Sequence, residues 1–200
     1  MEPLKKHKGI AAPLIRDNID TDQIIPSREM KSVSKTGLSA GLFAGQRYSE
    51  GRIENPLFVL NQDEYRDATI LLSGKNFGCG SSREHAVWAL KEFGFRVILA
   101  ESFGEIFYNN CVRNGILCVE MEGALITTFG DVVMVDLHAQ TVNGFGFSIA
   151  ESDKHMLING LDPIALTLQD EAEIVAYFEQ DKIDRPWACL LYTSPSPRDS

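Results

Sequence analysis

A glycine-rich stretch that ends in two serines and an arginine is the part of the sequence best suited to chemistry. Residues 74–86 read Gly-Lys-Asn-Phe-Gly-Cys-Gly-Ser-Ser-Arg-Glu-His-Ala. Gly78 and Gly80 permit a sharp turn and a close approach of the backbone to a ligand. The free N–H groups of a helix start favour an anion, and the planar guanidinium of Arg83 matches the two oxygens of a carboxylate. The stretch therefore predicts a site for a small carboxylic acid.

Familiar nucleotide-binding and esterase motifs do not fit this stretch. It matches neither G-x-x-x-x-G-K-[ST] nor G-x-G-x-x-G, and Ser81 does not stand in G-x-S-x-G. A plainer interpretation is that a glycine-rich turn simply starts a helix. A nucleophilic thiol at Cys79 and a proton shuttle at His85 are further alternatives, beside structural roles for both residues.

Two apolar runs and a helix between them are predicted to position the turn. Residues 68–72 and 97–100 are short apolar runs of the kind buried in parallel sheets. Ser81 and Glu84 have the spacing of a capping box, and Gly94 follows the last apolar residue, so a helix is predicted between them. Residues 73–82 then form a loop at the carboxyl end of a strand, where open parallel sheets bind ligands.

A second strand–helix–strand unit follows directly. A helix from roughly 103 to 111 and a turn at Asn114-Gly115 lead into a third apolar strand at 116–119. Right-handed crossovers then place all three strands in one parallel sheet.

The last third of the sequence predicts a smaller antiparallel layer and a terminal helix. Asn143-Gly144, between strand-like residues 131–137 and 145–149, indicates a hairpin. Asp170 with Glu173 predicts a capped helix start, and residues 161–168 are strand- or turn-like. The fold class is therefore α/β, with a parallel central sheet and a smaller antiparallel layer.

Size and composition limit the classes of function. Two hundred residues with 44% apolar content suffice for one core, so a single domain over residues 1–187 is expected. Residues 188–200 change to a proline- and serine-rich composition and are interpreted as a non-native tail. A net charge of −9 argues against nucleic acid as a partner. No apolar run approaches the ~20 residues of a membrane span, so a cytoplasmic protein is expected.

The four cysteines do not form a recognisable metal motif. They show no C-x-x-C pair and no clustering with histidine. The sequence therefore predicts that this chain binds no metal and carries no iron–sulphur cluster of its own.

The stretch at 74–86 and a second one near the start resemble the aconitase superfamily. The second stretch, residues 18–26, reads Asn-Ile-Asp-Thr-Asp-Gln-Ile-Ile-Pro. Within the superfamily the likeness is to the 3-isopropylmalate dehydratase small-subunit family, and it extends from about residue 4 to Trp187.

This resemblance implies a heteromeric hydro-lyase that isomerises 2-isopropylmalate to 3-isopropylmalate by dehydration and rehydration in leucine biosynthesis. It implies that the chain is a swivelling, three-layer β/β/α domain. A separate large subunit would carry the [4Fe–4S] cluster, and this chain would itself bind no cofactor. Since a serine hydroxyl is a poor base and a helix start contributes at most ~2 kcal/mol, the chain alone is predicted to be inactive.

The resemblance also assigns roles to individual residues. Ser81 is implied to be the catalytic base, and Ser82 and Arg83 to hold the substrate carboxylate. Lys35 stands where relatives carry a substrate-binding arginine, and lysine keeps the charge but loses the bidentate fork. Asp22 is implied to orient the substrate. Residues expected to shape the site are Gly78, Gly80, Asp20, Thr21, Glu84 and His85.

Alternatives within and outside this class remain open. The chain resembles, less specifically, the small subunits of homoaconitases and of methylmalate or citraconate hydratases, which differ in the group beside the hydroxyl. Selectivity is expected to reside in residues 28–37. A non-catalytic module that binds a carboxylate at the same glycine-rich turn is the alternative from another class.

Overall fold

The computed structural model describes residues 1–30, 36–80 and 82–188, and the chain divides into two compact units, residues 1–162 and residues 163–200. Ser81, Lys35 and the predicted tail from residue 189 onward lie outside the described residues. The first unit contains the sheet and the glycine-rich turn.

The strands, all in the first unit, are β1 (Lys6–Pro13), β2 (Ile70–Leu72), β3 (Val97–Ala100), β4 (Leu117–Glu120), β5 (Val132–Asp136), β6 (Thr141–Val142) and β7 (Phe145–Gly146). Its helices are α1 (Thr21–Ile24), α2 (Ala44–Arg47), α3 (His85–Phe93), α4 (Glu105–Asn114), α5 (Gly123–Ile126) and α6 (Glu151–Asn159). The second unit contains α7 (Pro163–Thr167) and α8 (Glu171–Asp184). Short 3-10 turns lie at Ser27–Glu29, Ser39–Gly41, Glu50–Arg52, Val59–Asn61, Asp63–Tyr65 and Leu168–Asp170.

The seven strands form one mixed sheet in the order β4-β3-β2-β1-β5-β6-β7. Strands β1 to β4 pair with one another in parallel. Strand β1 pairs antiparallel with β5, and β5, β6 and β7 follow as antiparallel neighbours. Strand β1 serves both parts, because its residues 11–13 pair with β2 whereas its residues 6–10 pair with β5. The predicted α/β fold with a parallel centre and a smaller antiparallel part is thereby confirmed.

The core lies around the parallel strands and helix α3. Every residue of β2 and β3 is buried, as expected for strands covered on both faces. Helix α3 turns Ala86, Val87 and Leu90 toward this core. It ends at Gly94, whose φ of 125° is easily adopted only by glycine.

The start of α3 differs from the prediction. The helix begins at His85, and the N-cap position belongs to Glu84, whose side chain makes no bond to the helix backbone. The predicted capping box of Ser81 and Glu84 is therefore wrong. The Glu84 carboxylate instead accepts a hydrogen bond from Asn114, a partner distant in sequence that the local motif does not reveal.

The antiparallel part is a meander of three strands after β1. Asn143 and Gly144 form a hairpin turn as predicted, with φ values of 49° and 90° that suit its backbone twist. The turn joins β6 to β7, however, and not β5 to residues 145–149, because the chain already reverses between β5 and β6.

Other boundaries shift for local reasons. Residues 161–168 were expected to be strand- or turn-like, which is wrong, because Pro163 opens helix α7 and proline is well suited to a first helical position. Helix α4 extends to Asn114 and ends at Gly115, whose φ is 83°. The predicted last helix is present as α8, but the side chain of Asp170 does not cap it.

The segment from residue 38 to 61 folds around a buried arginine. The Arg47 side chain donates from Nε to Asn61 Oδ1 at 3.1 Å and from Nη1 to the Ser39 carbonyl at 3.3 Å. Asn61 in return donates to the Arg47 carbonyl at 2.7 Å. Such reciprocal bonds satisfy the buried polar groups and fix a segment that has no long helix or strand.

Candidate active site

The glycine-rich turn lies between two other loops at one edge of the parallel sheet. On one side, Gly78 N donates to the Ile19 carbonyl at 2.7 Å and Thr21 N donates to the Cys79 carbonyl at 3.0 Å. On the other side, Phe77 exchanges backbone hydrogen bonds with Ser102 and Gly104 at 3.0 and 2.9 Å. The loops that follow β1, β2 and β3 are therefore joined side by side, at the carboxyl ends of three parallel strands.

Backbone geometry explains the glycines of the turn. Gly78 and Gly80 have φ values of 76° and 94°, which L-residues rarely adopt. A Cβ atom on Gly78 would lie 2.1 Å from the ring of Phe107, so the backbone packs directly on that aromatic side chain. A Cβ atom on Gly104 would lie 2.8 Å from the Gly78 carbonyl oxygen. Glycine at both positions permits this packing, because a side chain would collide with the ring of Phe107 or with the neighbouring backbone.

The loop after β1 brings a row of polar residues to the turn. Asp20 caps helix α1, since its Oδ1 accepts from Gln23 N at 2.7 Å. Thr21 is buried. Asp22 is the next residue, and its carboxylate is directed at Arg83.

The pairing of Asp22 with Arg83 is the central contact of the site. Arg83 Nη1 donates to Asp22 Oδ1 at 2.9 Å, with the two side chains 29% and 56% exposed for Arg83 and Asp22. Ser27 adds two bonds to the same carboxylate oxygen, from its N–H and its hydroxyl, each at 3.3 Å. The hydrogen bond from Arg83 is the main reason why the pKa of Asp22 lies below its ordinary value. Because a guanidinium carries five N–H donors, this contact orients Arg83 without saturating it.

The structure thus brings together several of the residues predicted for the site. Asp20, Thr21 and Asp22 lie beside Gly78 and Gly80, and Arg83 reaches the same place from the start of α3. Ser82 is exposed and Cys79 is partly exposed at the turn. Ser81 and Lys35 lie outside the described residues, so their predicted roles stay predictions.

Glu84 contacts α4, and His85 contacts another residue of its own helix, α3. Glu84 Oε1 accepts from Asn114 Nδ2 at 2.6 Å, and the ring of His85 lies 4.8 Å from the ring of Trp88, centroid to centroid. The contact with Trp88 favours the structural interpretation of His85. The sequence predicts only a turn at Asn114, and no local pattern connects this residue with Glu84.

A second missed residue is Glu92, near the end of α3. Its carboxylate accepts backbone N–H bonds from Gly37, Leu38 and Ser39 at 2.6, 2.5 and 2.7 Å. Partial burial acts to raise the pKa of Glu92, but the three backbone bonds outweigh it, and the pKa lies below its ordinary value. Glu92 therefore fixes to α3 the end of the stretch that sequence analysis associates with selectivity.

The described residues do not contain a group of three or more histidine, cysteine, aspartate or glutamate side chains arranged to hold a metal ion. Cys111 and Cys118 are buried in the core, and burial raises the pKa of the Cys111 thiol. Only Cys79 of the described cysteines lies at the turn. The thiols of residues 1–30, 36–80 and 82–188 therefore offer no ligand set for an iron–sulphur cluster.

A family model described as the aconitase C-terminal domain matches residues 1–124. A 3-isopropylmalate dehydratase small subunit from Cupriavidus necator is 55% identical over 94% of this chain and 98% of the relative. The chain belongs to the family of 3-isopropylmalate dehydratase small subunits. Another member, from Rhodopseudomonas palustris (strain BisA53), is 47% identical over 94% of this chain and the whole of the relative.

A solved structure supports this family at the level of the fold. The crystal structure of a 3-isopropylmalate dehydratase from Methanocaldococcus jannaschii superposes with a TM-score of 0.66 at 25% sequence identity. The match covers 86% of this chain and 98% of that one. The family and the α/β fold that the sequence predicted are thus both confirmed, and the chain spans nearly the full length of these small subunits.

Proposed function

We propose that this chain is the small subunit of a two-chain hydro-lyase that isomerises 2-isopropylmalate to 3-isopropylmalate in leucine biosynthesis. The observation that carries the proposal is the contact of Arg83 with Asp22 at the glycine-rich turn, on a chain 55% identical to a 3-isopropylmalate dehydratase small subunit. The turn presents an oriented guanidinium next to Ser82, which suits a small dicarboxylic hydroxy acid.

The reaction divides into removal of water and its return. In dehydration a base takes a proton from one carbon while the hydroxyl leaves the neighbouring carbon, and rehydration places the hydroxyl on the other carbon. We assign the uptake of the proton to the side-chain oxygen of Ser81 in its alkoxide form, which becomes the hydroxyl, and the binding of a substrate carboxylate to Ser82 and Arg83. Asp22 keeps the guanidinium of Arg83 in place. Lys35 supplies a further positive charge for the second carboxylate.

The departing hydroxyl requires an electrophile that the described residues do not supply. We place a [4Fe–4S] cluster in a separate large subunit, where it would supply Lewis-acid assistance to the leaving group. The burial of Cys111 and Cys118 in the core supports this division. This chain contributes the base, the carboxylate-binding groups and a surface that excludes water from the reaction.

We further propose that the enzyme acts in the cytoplasm. Cys79, Cys111 and Cys118 are unpaired thiols, which is typical of a reducing compartment. None of the helices in the described part of the chain is long and apolar enough to cross a membrane.

The substitution Ser81→Ala tests the proposed base. The variant and the wild-type chain are each co-expressed with the cognate large subunit, and turnover is measured on 2-isopropylmalate, on citrate and on substrates that yield citraconate. We expect a 10²- to 10⁴-fold lower kcat, the usual contribution of a general base, with complex formation retained on size-exclusion chromatography. The purified small subunit alone is expected to show no turnover.

Each outcome of this experiment has a defined meaning. Retained turnover of Ser81→Ala would contradict the base assignment and favour a module that only binds carboxylate. Preference for citrate or for citraconate-forming substrates would shift the assignment to another hydratase of the same superfamily. Turnover by the small subunit without its partner would contradict the division of labour.

A further inference from the structure

Asn114 connects the beginning of α3 to the end of α4. Its Nδ2 donates to Glu84 Oε1 at 2.6 Å and to the Asn110 carbonyl at 2.8 Å, and its Oδ1 accepts from Trp88 Nε1 at 3.2 Å. The Asn114 carbonyl accepts from Lys91 Nζ at 2.7 Å. The nitrogen and the oxygen of the side-chain amide are therefore both used. Of the four hydrogen bonds of Asn114, including the one to its backbone carbonyl, three reach α3 or its N-cap.

The chemistry of the partners fixes the orientation of the amide. An indole N–H only donates, so the oxygen of the Asn114 side chain must face Trp88. An ionised carboxylate only accepts, so the nitrogen must face Glu84. Because both requirements are met by asparagine and not by aspartate, the amide at position 114 is specific to this network.

Glu84 is the point at which this network reaches the proposed site. It directly follows Arg83, and its own carbonyl accepts the first helical bonds of α3, from Val87 N at 3.0 Å and Trp88 N at 3.1 Å. Glu84 is thus the junction between the glycine-rich turn and the helix. Its side chain does not cap α3, and the carboxylate binds Asn114 instead.

Two neighbouring residues of the turn are consequently held by two different elements. Asp22, on α1, binds the guanidinium of Arg83, whereas Asn114, on α4, binds the carboxylate of Glu84. Loss of either contact leaves one side of the junction without a partner. The position of Arg83, and of Ser82 before it, therefore depends on α4 as well as on α1.

We propose that Asn114 is a positioning residue for the turn that carries Ser82 and Arg83, acting through Glu84. The proposal rests on the function proposed above and extends it to a residue that does not touch substrate. Asn114 sets the place at which the backbone enters α3, and thereby the direction in which Arg83 meets the substrate carboxylate.

The substitution Asn114→Asp tests the proposal in the reconstituted two-chain enzyme. It keeps the shape of the side chain but turns an acceptor toward the Glu84 carboxylate. We expect kcat/KM to fall about 10- to 100-fold, the loss that corresponds to one charge-assisted hydrogen bond. Asn109→Asp is the matched control, because it adds the same charge to an exposed position of the same helix, and it is expected to retain wild-type kcat/KM.

A double variant makes the test specific to the contact between Glu84 and Asn114. In Asn114→Asp with Glu84→Gln the donor and the acceptor exchange places, so the hydrogen bond can form again in the reverse direction. We expect at least a tenfold recovery of kcat/KM over Asn114→Asp alone. Unchanged activity in Asn114→Asp, an equal loss in Asn109→Asp, or a folded double variant without recovery would each overturn the proposal.

Hydrogen–deuterium exchange of the isolated small subunit separates this proposal from the proposed function. Backbone amides of residues 78–85 are expected to exchange faster in Asn114→Asp and to return toward the wild-type rate in the double variant. If the wild-type complex fails to isomerise isopropylmalate, the proposed function fails, and the exchange rates still decide whether Asn114 holds the turn. Equal exchange in all variants would overturn the positioning role.

Discussion

At the scale of single residues, the contact between Asp22 and Arg83 determines how the guanidinium is presented. An arginine side chain has many rotamers, and holding it in one of them before substrate arrives lowers the entropy lost on binding. Asp22 is itself held by two hydrogen bonds from Ser27, so the carboxylate of the ion pair is fixed in position. The value of the pair lies in orientation more than in stability, since partly exposed ion pairs contribute little to folding.

Substitution Asp22→Ala is expected to lower kcat/KM of the reconstituted enzyme, mainly through KM, because Arg83 would lose its partner. An exposed pair is worth at most about 1 kcal/mol, which corresponds to roughly fivefold. Steady-state kinetics on 2-isopropylmalate measure the effect. Asp63→Ala, which removes an exposed carboxylate paired with Arg66, should leave KM unchanged. An unchanged KM in Asp22→Ala would mean that the pair does not orient Arg83.

At the scale of elements, the site is made by three loops whose backbones pack against one another. Gly78 lies against the ring of Phe107 on α4, and Gly104 lies against the Gly78 carbonyl. The turn is thus fixed by the position of α4 as well as by its own sequence. Helix α4 supports the turn twice, through Phe107 beneath Gly78 and through Asn114 beside Glu84.

Substitution Gly78→Ala is expected to destabilise the chain by about 2–5 kcal/mol, the sum of the cost of a positive φ and of overpacking against Phe107. The melting temperature should fall by about 5–15 °C, as measured by thermal unfolding of the purified subunit. Gly130→Ala is the matched control, because a Cβ atom there meets no atom within 4 Å and its φ is not positive. Similar melting temperatures for the two variants would contradict the packing argument.

At the scale of the whole molecule, the buried apolar residues of the described chain all lie between Leu4 and Leu157. These residues belong to the first compact unit, which also contains the complete seven-stranded sheet. The described residues of the second unit form α7, a 3-10 turn and α8, with an ion pair between Lys182 and Glu179 on the longer helix. The sequence predicts a single domain through residue 187. A single domain and two compact units lead to different expectations for a chain that lacks the second unit.

A chain that ends at Asp162 is expected to unfold in one cooperative transition, with a melting temperature within about 5 °C of the full chain, a difference of roughly 1–2 kcal/mol for a chain of this size. The reason is that the core and the sheet remain complete. Differential scanning calorimetry of both forms measures the difference. A truncated chain without a cooperative transition would show instead that residues through 187 fold as one domain.

Sequence patterns alone predict the fold class, the parallel strands, helix α3 and the place of the glycine-rich turn at the carboxyl end of β2. These features depend on local patterns, since apolar runs, glycine positions and helix ends are set by residues close together in the chain. The strings at 18–26 and 74–86 also sufficed to predict the family.

Contacts between side chains that are far apart in the sequence become visible only in the folded chain. Arg83 with Asp22, Glu84 with Asn114, and Glu92 with the backbone of residues 37–39 are joined across 61, 30 and more than 50 positions. The prediction that Glu84 caps its own helix failed for the same reason. A side chain with two possible partners takes the better one, and only the packing of α1 and α4 against α3 brings the distant partner within reach.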